Sequence, residues 1–148
     1  MTDVLAPLPG RLVAMADVPD PVFAAEMVGP GIAIDPDPGE VTVVSPIAGK
    51  VKVHPHAFVV LAPDGVGVLV HLGIDTVKLE GRGFEVLVTQ GSAVEAGTPM
   101  VRWDPSTIAD GMSPLVPVVA MDRPKGSVPQ PEGGARAGSG DVLFSVTT

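Results

Sequence analysis

The chain holds three histidines, His54, His56 and His71, and no cysteine, which makes imidazole its scarce reactive group. Disulfides, thiolate nucleophiles and Cys-based zinc sites are therefore excluded. A neutral imidazole nitrogen can attack a phosphoryl group while a second imidazole donates a hydrogen bond to the phosphoryl oxygens. His56 and His71 stand in HAFVVLAPDGVGVLVHLGID, where APDG separates two runs rich in Val and Leu and predicts a hairpin.

The register of that hairpin decides whether the two rings meet. Closure at Pro63 and Asp64 makes paired residue numbers sum to 127 and sets His56 opposite His71, and closure at Asp64 and Gly65 gives 129 and diagonal neighbours. A three-residue loop with Gly65 in a bulge gives 128 and turns the imidazoles to opposite faces. In the first two registers Phe58 and Leu69 flank the histidines and Gly67 leaves space beside them, forming an apolar rim that would protect a labile P–N bond from water. All three registers are open at this point. An isolated cross-strand histidine pair is more often surface filling than a site.

The elements that must carry these residues read as short strands. VLAPLPGRLVA from Val4 and VTVVSPIAGKVKV from Val41 both read as strand, tight turn, strand, and LAPLPGRLV and VSPIAGKVK hint at an internal repeat. Between them, Asp20 can cap a short helix with Pro21 at its first position and Gly29 beyond its end, which would put Phe23 and Met27 on one face. PSTIAD suits a single helical turn, and PLVPVVAM and DVLFSVTT two more strands. Residues 123–140, RPKGSVPQPEGGARAGSG, are dense in Pro and Gly and are expected to form a mobile loop. The expected fold class is all-β, an antiparallel sandwich or barrel-like hybrid with one or two short helical turns, in one domain over residues 1–148.

Composition agrees. Hydrophobic residues make up 45% and aromatics only 3%, so the core must be built from branched aliphatics, which suit pleated sheets. A net charge of −8 opposes binding to nucleic-acid phosphates or anionic membrane surfaces and favours partners with basic faces. No apolar run is long enough to span a bilayer and no signal segment opens the chain, so a cytoplasmic protein without membrane insertion is expected, and its compact ends fit a free subunit. No nucleotide loop of the GxxxxGKS kind is present, which excludes direct use of ATP by that device.

HAF, the histidine spacing and VHLGIDTVKLEGRGF together resemble the active-site signature of the glucose-type enzyme IIA family of the phosphoenolpyruvate-dependent sugar phosphotransferase system. VPDPVFAAEMVGPGIAI and VVSPIAGKV follow the same order and spacing, so the resemblance spans roughly residues 4 to 104 and resumes near PLVPVV. It implies a phosphotransferase relay. His71 would be the phosphorylated histidine, His56 the residue that supports the phosphate, and Asp75 the motif's aspartate. Phe23, Met27, Val28, Leu69 and Val77 would form an apolar docking surface. The implied partners are the histidine-containing phosphocarrier protein as donor, a sugar-specific enzyme IIB/IIC permease as acceptor, and regulatory protein targets. The membrane partner would choose the sugar, with glucose and N-acetylglucosamine as candidates. No cofactor is required, although zinc held by His56 and His71 at a regulatory interface is within the family's repertoire. His54 departs from the pattern, which commonly has threonine two residues before the first histidine. Lys78 and Arg82 read as solvated turn residues.

Two other classes compete. His54-Pro55-His56 forms an HxH pair that, with His71 as a third ligand, would suit a zinc-dependent hydrolase, although no HxxxD segment lies upstream. SPIAGKVKV resembles the glycine-turn strand of biotinyl or lipoyl carrier domains, but no MKM or DKA lysine hairpin accompanies it.

Overall fold

In the computed structural model, which describes residues 1–147, thirteen strands and one α-helical turn alternate with three 3-10 turns. In chain order they are β1 (Thr2–Leu5), β2 (Gly10–Ala14), α1 (Pro21–Ala24), β3 (Gly31–Pro36), β4 (Val41–Val44), β5 (Gly49–His54), β6 (Ala57–Leu61), β7 (Gly67–His71), β8 (Phe84–Val86), β9 (Ala93–Val94), β10 (Pro99–Trp103), β11 (Val116–Ala120), β12 (Arg136–Ala137) and β13 (Val142–Val146). An eight-stranded antiparallel sheet runs β12-β2-β3-β11-β7-β6-β5-β9, and one of its faces is covered by β4-β10-β8 and by the pair β1-β13. The all-β sandwich expected from the short Val-rich runs is the fold that forms.

Alternation along the strands sorts the apolar residues into two clusters. Ile32, Ile34, Phe58, Val60, Val68, Val70, Val116 and Val118 point inward against Val43, Met100, Trp103 and Phe144 of the smaller sheets. Their neighbours of opposite parity, Val13, Ala33 and Val119, point outward and meet Met15, Val18, Phe23 and Ile74 in a second cluster. That outer cluster seats α1 on the sheet beside the end of β7.

The two repeat-like segments are not hairpins. Each carries the chain from a small sheet to the large one, β1 to β2 and β4 to β5. Their bends bond reciprocally: Leu5 N–H donates to the Pro46 carbonyl at 3.0 Å and Val44 N–H to the Pro7 carbonyl at 2.9 Å. The shared pattern marks two equivalent crossovers that meet in space.

Three further details differ from the sequence reading. The helix ends at Ala24, well short of Gly29, because Glu26 takes a left-handed φ of 55°, so Met27 leaves the helix and shares no face with Phe23. Residues 123–140 are tied to the body rather than forming a plain loop. Val128 is buried in the main core, β12 pairs with β2, and the Gln130 side chain accepts from Met15 N–H at 2.8 Å and donates to the Gly31 carbonyl at 2.9 Å. The hairpin β6–β7 closes through a three-residue loop with Gly65 at φ 93°, and Ala57↔His71 and Phe58↔Val70 give the even sum 128.

Candidate functional site

An even register should part the two histidines, yet their ring centroids lie 5.2 Å apart at 74°. The reason is that His56 is not a strand residue. It sits in the turn between β5 and β6, beside Pro55, so the period-two rule that governs Ala57 and His71 does not fix its side chain. Only its carbonyl continues the ladder, accepting the Leu72 N–H at 2.7 Å. The expected apolar rim changes accordingly. Phe58 points into the core, while Leu69 and Gly67 share the outer face with His71.

His71 is oriented by two contacts and the braced turn behind one of them. Phe23, placed by the Asp20-capped turn of α1, meets the imidazole edge to face at 5.3 Å. The His71 Nδ1 lies 2.5 Å from the Gly73 carbonyl oxygen. A carbonyl can only accept, so Nδ1 carries the hydrogen and Nε2 of the neutral ring keeps its lone pair. Thr76, fully buried, donates its hydroxyl to the Leu72 carbonyl at 2.7 Å, and Ile74 N–H donates to the Ser113 carbonyl at 2.8 Å. These bonds fix the turn that presents Gly73.

Gly73 itself is required by the backbone. It holds φ at 84°, and a Cβ there would stand 2.6 Å from Thr76 Cγ2 and 3.0 Å from the Ser113 carbonyl oxygen. Gly65 has a similar φ of 93° with nothing within 4 Å, so it carries the conformational strain without the crowding. Gly65→Ala is expected to cost about 1 kcal/mol. Gly73→Ala should cost about 1–3 kcal/mol and also move the carbonyl that holds His71. Urea midpoints of the two variants check this, and equal shifts would deny the crowding.

Burial lowers the pKa of both imidazoles. For His71 the desolvation outweighs the Gly73 carbonyl and the carboxylates of Asp20 and Asp75, which favour its charged form. For His56 desolvation comes first, followed by the neighbouring His71 and His54. A folded pKa below 6.5 means that the unfolded chain takes up protons first. The stability these rings contribute is present above pH 6.5 and is lost as pH falls through the folded values. The urea midpoint should therefore drop between about pH 7 and 5, with a smaller drop in a His56→Gln, His71→Gln variant. An unchanged pH dependence in that variant would remove the histidines as its cause.

The other residues singled out from sequence divide by exposure. Asp75 adopts a left-handed φ of 65° at the start of the 3-10 turn Thr76–Leu79, with its side chain making no cap bond. Met27 and Val77 are 68% and 57% exposed, Val28 and Leu69 are half-buried against the outer cluster, and Phe23 is buried. Val22, exposed beside them, was not marked by any sequence pattern. His54 ends β5, exposed, with its ring 6.3 Å from that of His56. Arg82 folds back to donate Nε–H to the Leu79 carbonyl at 3.0 Å. Asp20, read from sequence only as a cap, also acts on His71 through its charge.

Residues 2–125 match the model of the phosphoenolpyruvate-dependent sugar phosphotransferase system, EIIA 1, family. The chain belongs to this EIIA family. It is similar to the "PTS system glucose-specific EIIA component" of Staphylococcus aureus (strain COL), 52% identical over 104 residues that cover 68% of this chain and 61% of the relative. The component of the same name from Staphylococcus epidermidis is 51% identical over the same coverage. The chain thus spans about three fifths of the length of these curated relatives. Among solved structures it resembles the "glucose permease IIA from Mycoplasma capricolum", with a TM-score of 0.83, 34% identity, and coverage of 96% of this chain and 93% of that one.

The EIIA assignment leaves the zinc hydrolase unsupported. Among the described residues no group of three or more His, Cys, Asp or Glu converges to hold a metal, and the HxH pair is split by the turn that starts after His54.

Proposed function

We propose that this EIIA chain is a phosphoryl carrier that accepts a phosphoryl group on Nε2 of His71 from the histidine-containing phosphocarrier protein and passes it to a sugar-specific enzyme IIB. The observation that carries the reading is the Nδ1–H bond of His71 to the Gly73 carbonyl, which leaves Nε2 as the free nucleophile next to His56.

The step balances as a transfer between two imidazoles. The P–N bond of the donor breaks as the Nε2–P bond forms, and the donor ring recovers its lone pair. Because Nδ1 keeps its hydrogen, the newly substituted His71 ring becomes an imidazolium. Its positive charge is met by the Gly73 carbonyl and by Asp20 and Asp75, the same groups that favour protonation of the free ring. A cationic ring is a good leaving group, so the phosphoryl group stays ready for the next acceptor. His56, 5.2 Å away between centroids, is the donor to the phosphoryl oxygens. The Phe23 ring shields one side of the imidazole from water.

Partners dock around this pair. Met27 and Val77 supply exposed apolar surface, Val28 and Leu69 its half-buried margin and Phe23 its floor. The final acceptor is the enzyme IIB/IIC permease, with glucose as the first sugar to test because the curated relatives are named for it. The chemistry needs no cofactor, since the ring nitrogen itself holds the group. Two histidines supply only part of a tetrahedral zinc shell, so zinc at this site would need ligands from a regulatory partner. The test is to incubate the protein with phosphoenolpyruvate, enzyme I and the phosphocarrier protein and to measure intact mass. A gain of one phosphoryl group is expected, and an unchanged mass overturns the reading.

A further inference from the structure

The end of β11 carries a cation that phosphoryl transfer does not use. Met121 N–H closes the strand onto the Gly67 carbonyl at 2.9 Å, and Asp122 then takes a left-handed φ of 57° and turns the chain off the sheet. Arg123 follows directly. Its Nε is buried without a hydrogen-bond partner among the described residues, and no ion pair among them includes its guanidinium. Buried donors are nearly always paired, and an arginine cannot shed its charge to escape the cost.

A cavity of about 260 Å³ lies against this side chain. Ala120, Val128 and Val146, all buried, form its apolar wall, and Arg123 forms the polar wall with Ser127 and Ser145. Both walls are held in place. The Ser127 hydroxyl and N–H donate to the Pro124 carbonyl at 2.7 and 3.2 Å, Val128 is anchored in the main core, and Gln130 ties the segment to Met15 and Gly31. On the other side, Ser145 of β13 pairs with Asp3 of β1 and donates its hydroxyl to the Asp3 carboxylate at 2.7 Å. The cavity stands apart from the histidines. Ala120 pairs with Val68 near the start of β7, whereas His71 ends that strand. Ala120, Val128 and Val146 belong to the inner cluster, whereas Leu69 and Phe23 beside His71 belong to the outer one.

The chemistry of the walls selects a ligand. Arg123 offers charged N–H donors, which suit a carboxylate or phosphate oxygen. Ser127 and Ser145 have their hydroxyl hydrogens committed to Pro124 and Asp3, so what they can offer a ligand is a lone pair, and the Asp3 carboxylate likewise only accepts. A bare anion would satisfy Arg123 and leave these acceptors without donors, and a neutral polyol would do the reverse. A volume below the roughly 300–1,000 Å³ of drug-sized sites keeps the ligand small. We propose that this cavity binds a small hydroxylated anion, its carboxylate or phosphate on Arg123 and its hydroxyls donating to Ser127, Ser145 and Asp3. The carbon chain lies against Val128 and Val146. Asp3 also orients the ligand, because its charge turns the anionic end towards Arg123. The site rests on no step of the relay, since neither histidine takes part in it.

The probes are glycerate and hydroxyethyl phosphate, titrated at constant ionic strength while the backbone amide resonances of the isotope-labelled chain are followed. Saturable shifts are expected at Ser127, Ser145 and Thr147, with at least one probe binding about tenfold or more tighter than acetate or glycerol. The tighter of the two probes assigns the head group as carboxylate or phosphate. Arg123→Met should lose these shifts yet melt no lower than the ligand-free wild type, because it replaces an unpaired guanidinium by an apolar chain of similar reach. Asp3→Asn should narrow the preference over acetate. No saturation by either probe below about 50 mM overturns the proposal. So does unchanged binding in Arg123→Met, or a response centred on Gly73 and His71 instead. Phosphorylation followed by intact mass in the same samples separates this outcome from that of the relay, since the wild type can be labelled whether or not the cavity is filled.

Discussion

His71→Ala should take up no phosphoryl group when incubated with phosphoenolpyruvate, enzyme I and the phosphocarrier protein, under conditions in which the wild type gains one. The expectation rests on geometry rather than on the scarcity of histidine. His56 is also neutral and also near the surface, but no hydrogen bond to its ring is seen among the described residues to fix which nitrogen is free. His71 has that bond, through Nδ1 to Gly73. His56 also lacks the nearby carboxylates that would meet the charge of a substituted ring, whereas Asp20 and Asp75 stand near His71. Loss of labelling by several orders of magnitude is therefore expected, because no second nitrogen is prepared for the role. Intact mass measures it directly, and a labelled His71→Ala protein would move the acceptor elsewhere. The variant should fold with a modest loss of stability, since it leaves the Gly73 carbonyl without its donor and Phe23 without its edge contact.

Much of the fold was legible because period and punctuation agree. The Val-rich runs around APDG form β6 and β7, PLVPVVAM contains β11 and DVLFSVTT contains β13, each where alternation and turn residues coincide. The site was less legible, and for identifiable reasons. Parity governs strand residues only, and His56 lies with Pro55 in a turn, where side-chain direction depends on local dihedrals. Helix length failed at Glu26, whose left-handed backbone no propensity announces. Asp20 was visible as a cap but not as a charge near His71, because α1 meets β7 only in the folded chain, through the Phe23–His71 contact and the outer cluster of Met15, Val18 and Ile74. The anchoring of Val128 and Gln130 is a tertiary event in a segment whose composition resembles a linker. What composition hides in each case is a contact between residues far apart in the chain.

The two imidazoles of the site differ in how they are held. His71 is locked by Phe23, Gly73 and the Thr76-braced turn, whereas His56 stands in a turn and His54 at an exposed strand end. A nucleophile benefits from fixed orientation, since attack requires its lone pair to be aligned with the phosphorus. In the proposed relay His56 would support phosphate in two different complexes, with donor and with acceptor, and no ring hydrogen bond among the described residues commits it to one orientation. The contrast between the two imidazoles follows from where the chain puts them, one on a central strand and one outside it.

That contrast sets the second large effect. His56→Ala should still be phosphorylated at His71, because Nε2, its free lone pair and the groups around Nδ1 are untouched. Onward transfer to enzyme IIB should fall by about 10²-fold, the usual cost of removing a positioned donor from developing charge on phosphoryl oxygens. The phosphorylated variant should accumulate, and its mass should persist when enzyme IIB is added while the wild type discharges. Glutamine at position 56 can donate a hydrogen bond without an imidazole, so His56→Gln should recover part of the onward rate if donation is what counts. Equal discharge by wild type and His56→Ala would remove His56 from the transfer step, whatever the nearness of the rings. Failure of His56→Ala to be labelled at all would instead make the pair a joint acceptor site, with the neutral ring of His56 needed as early as the first attack.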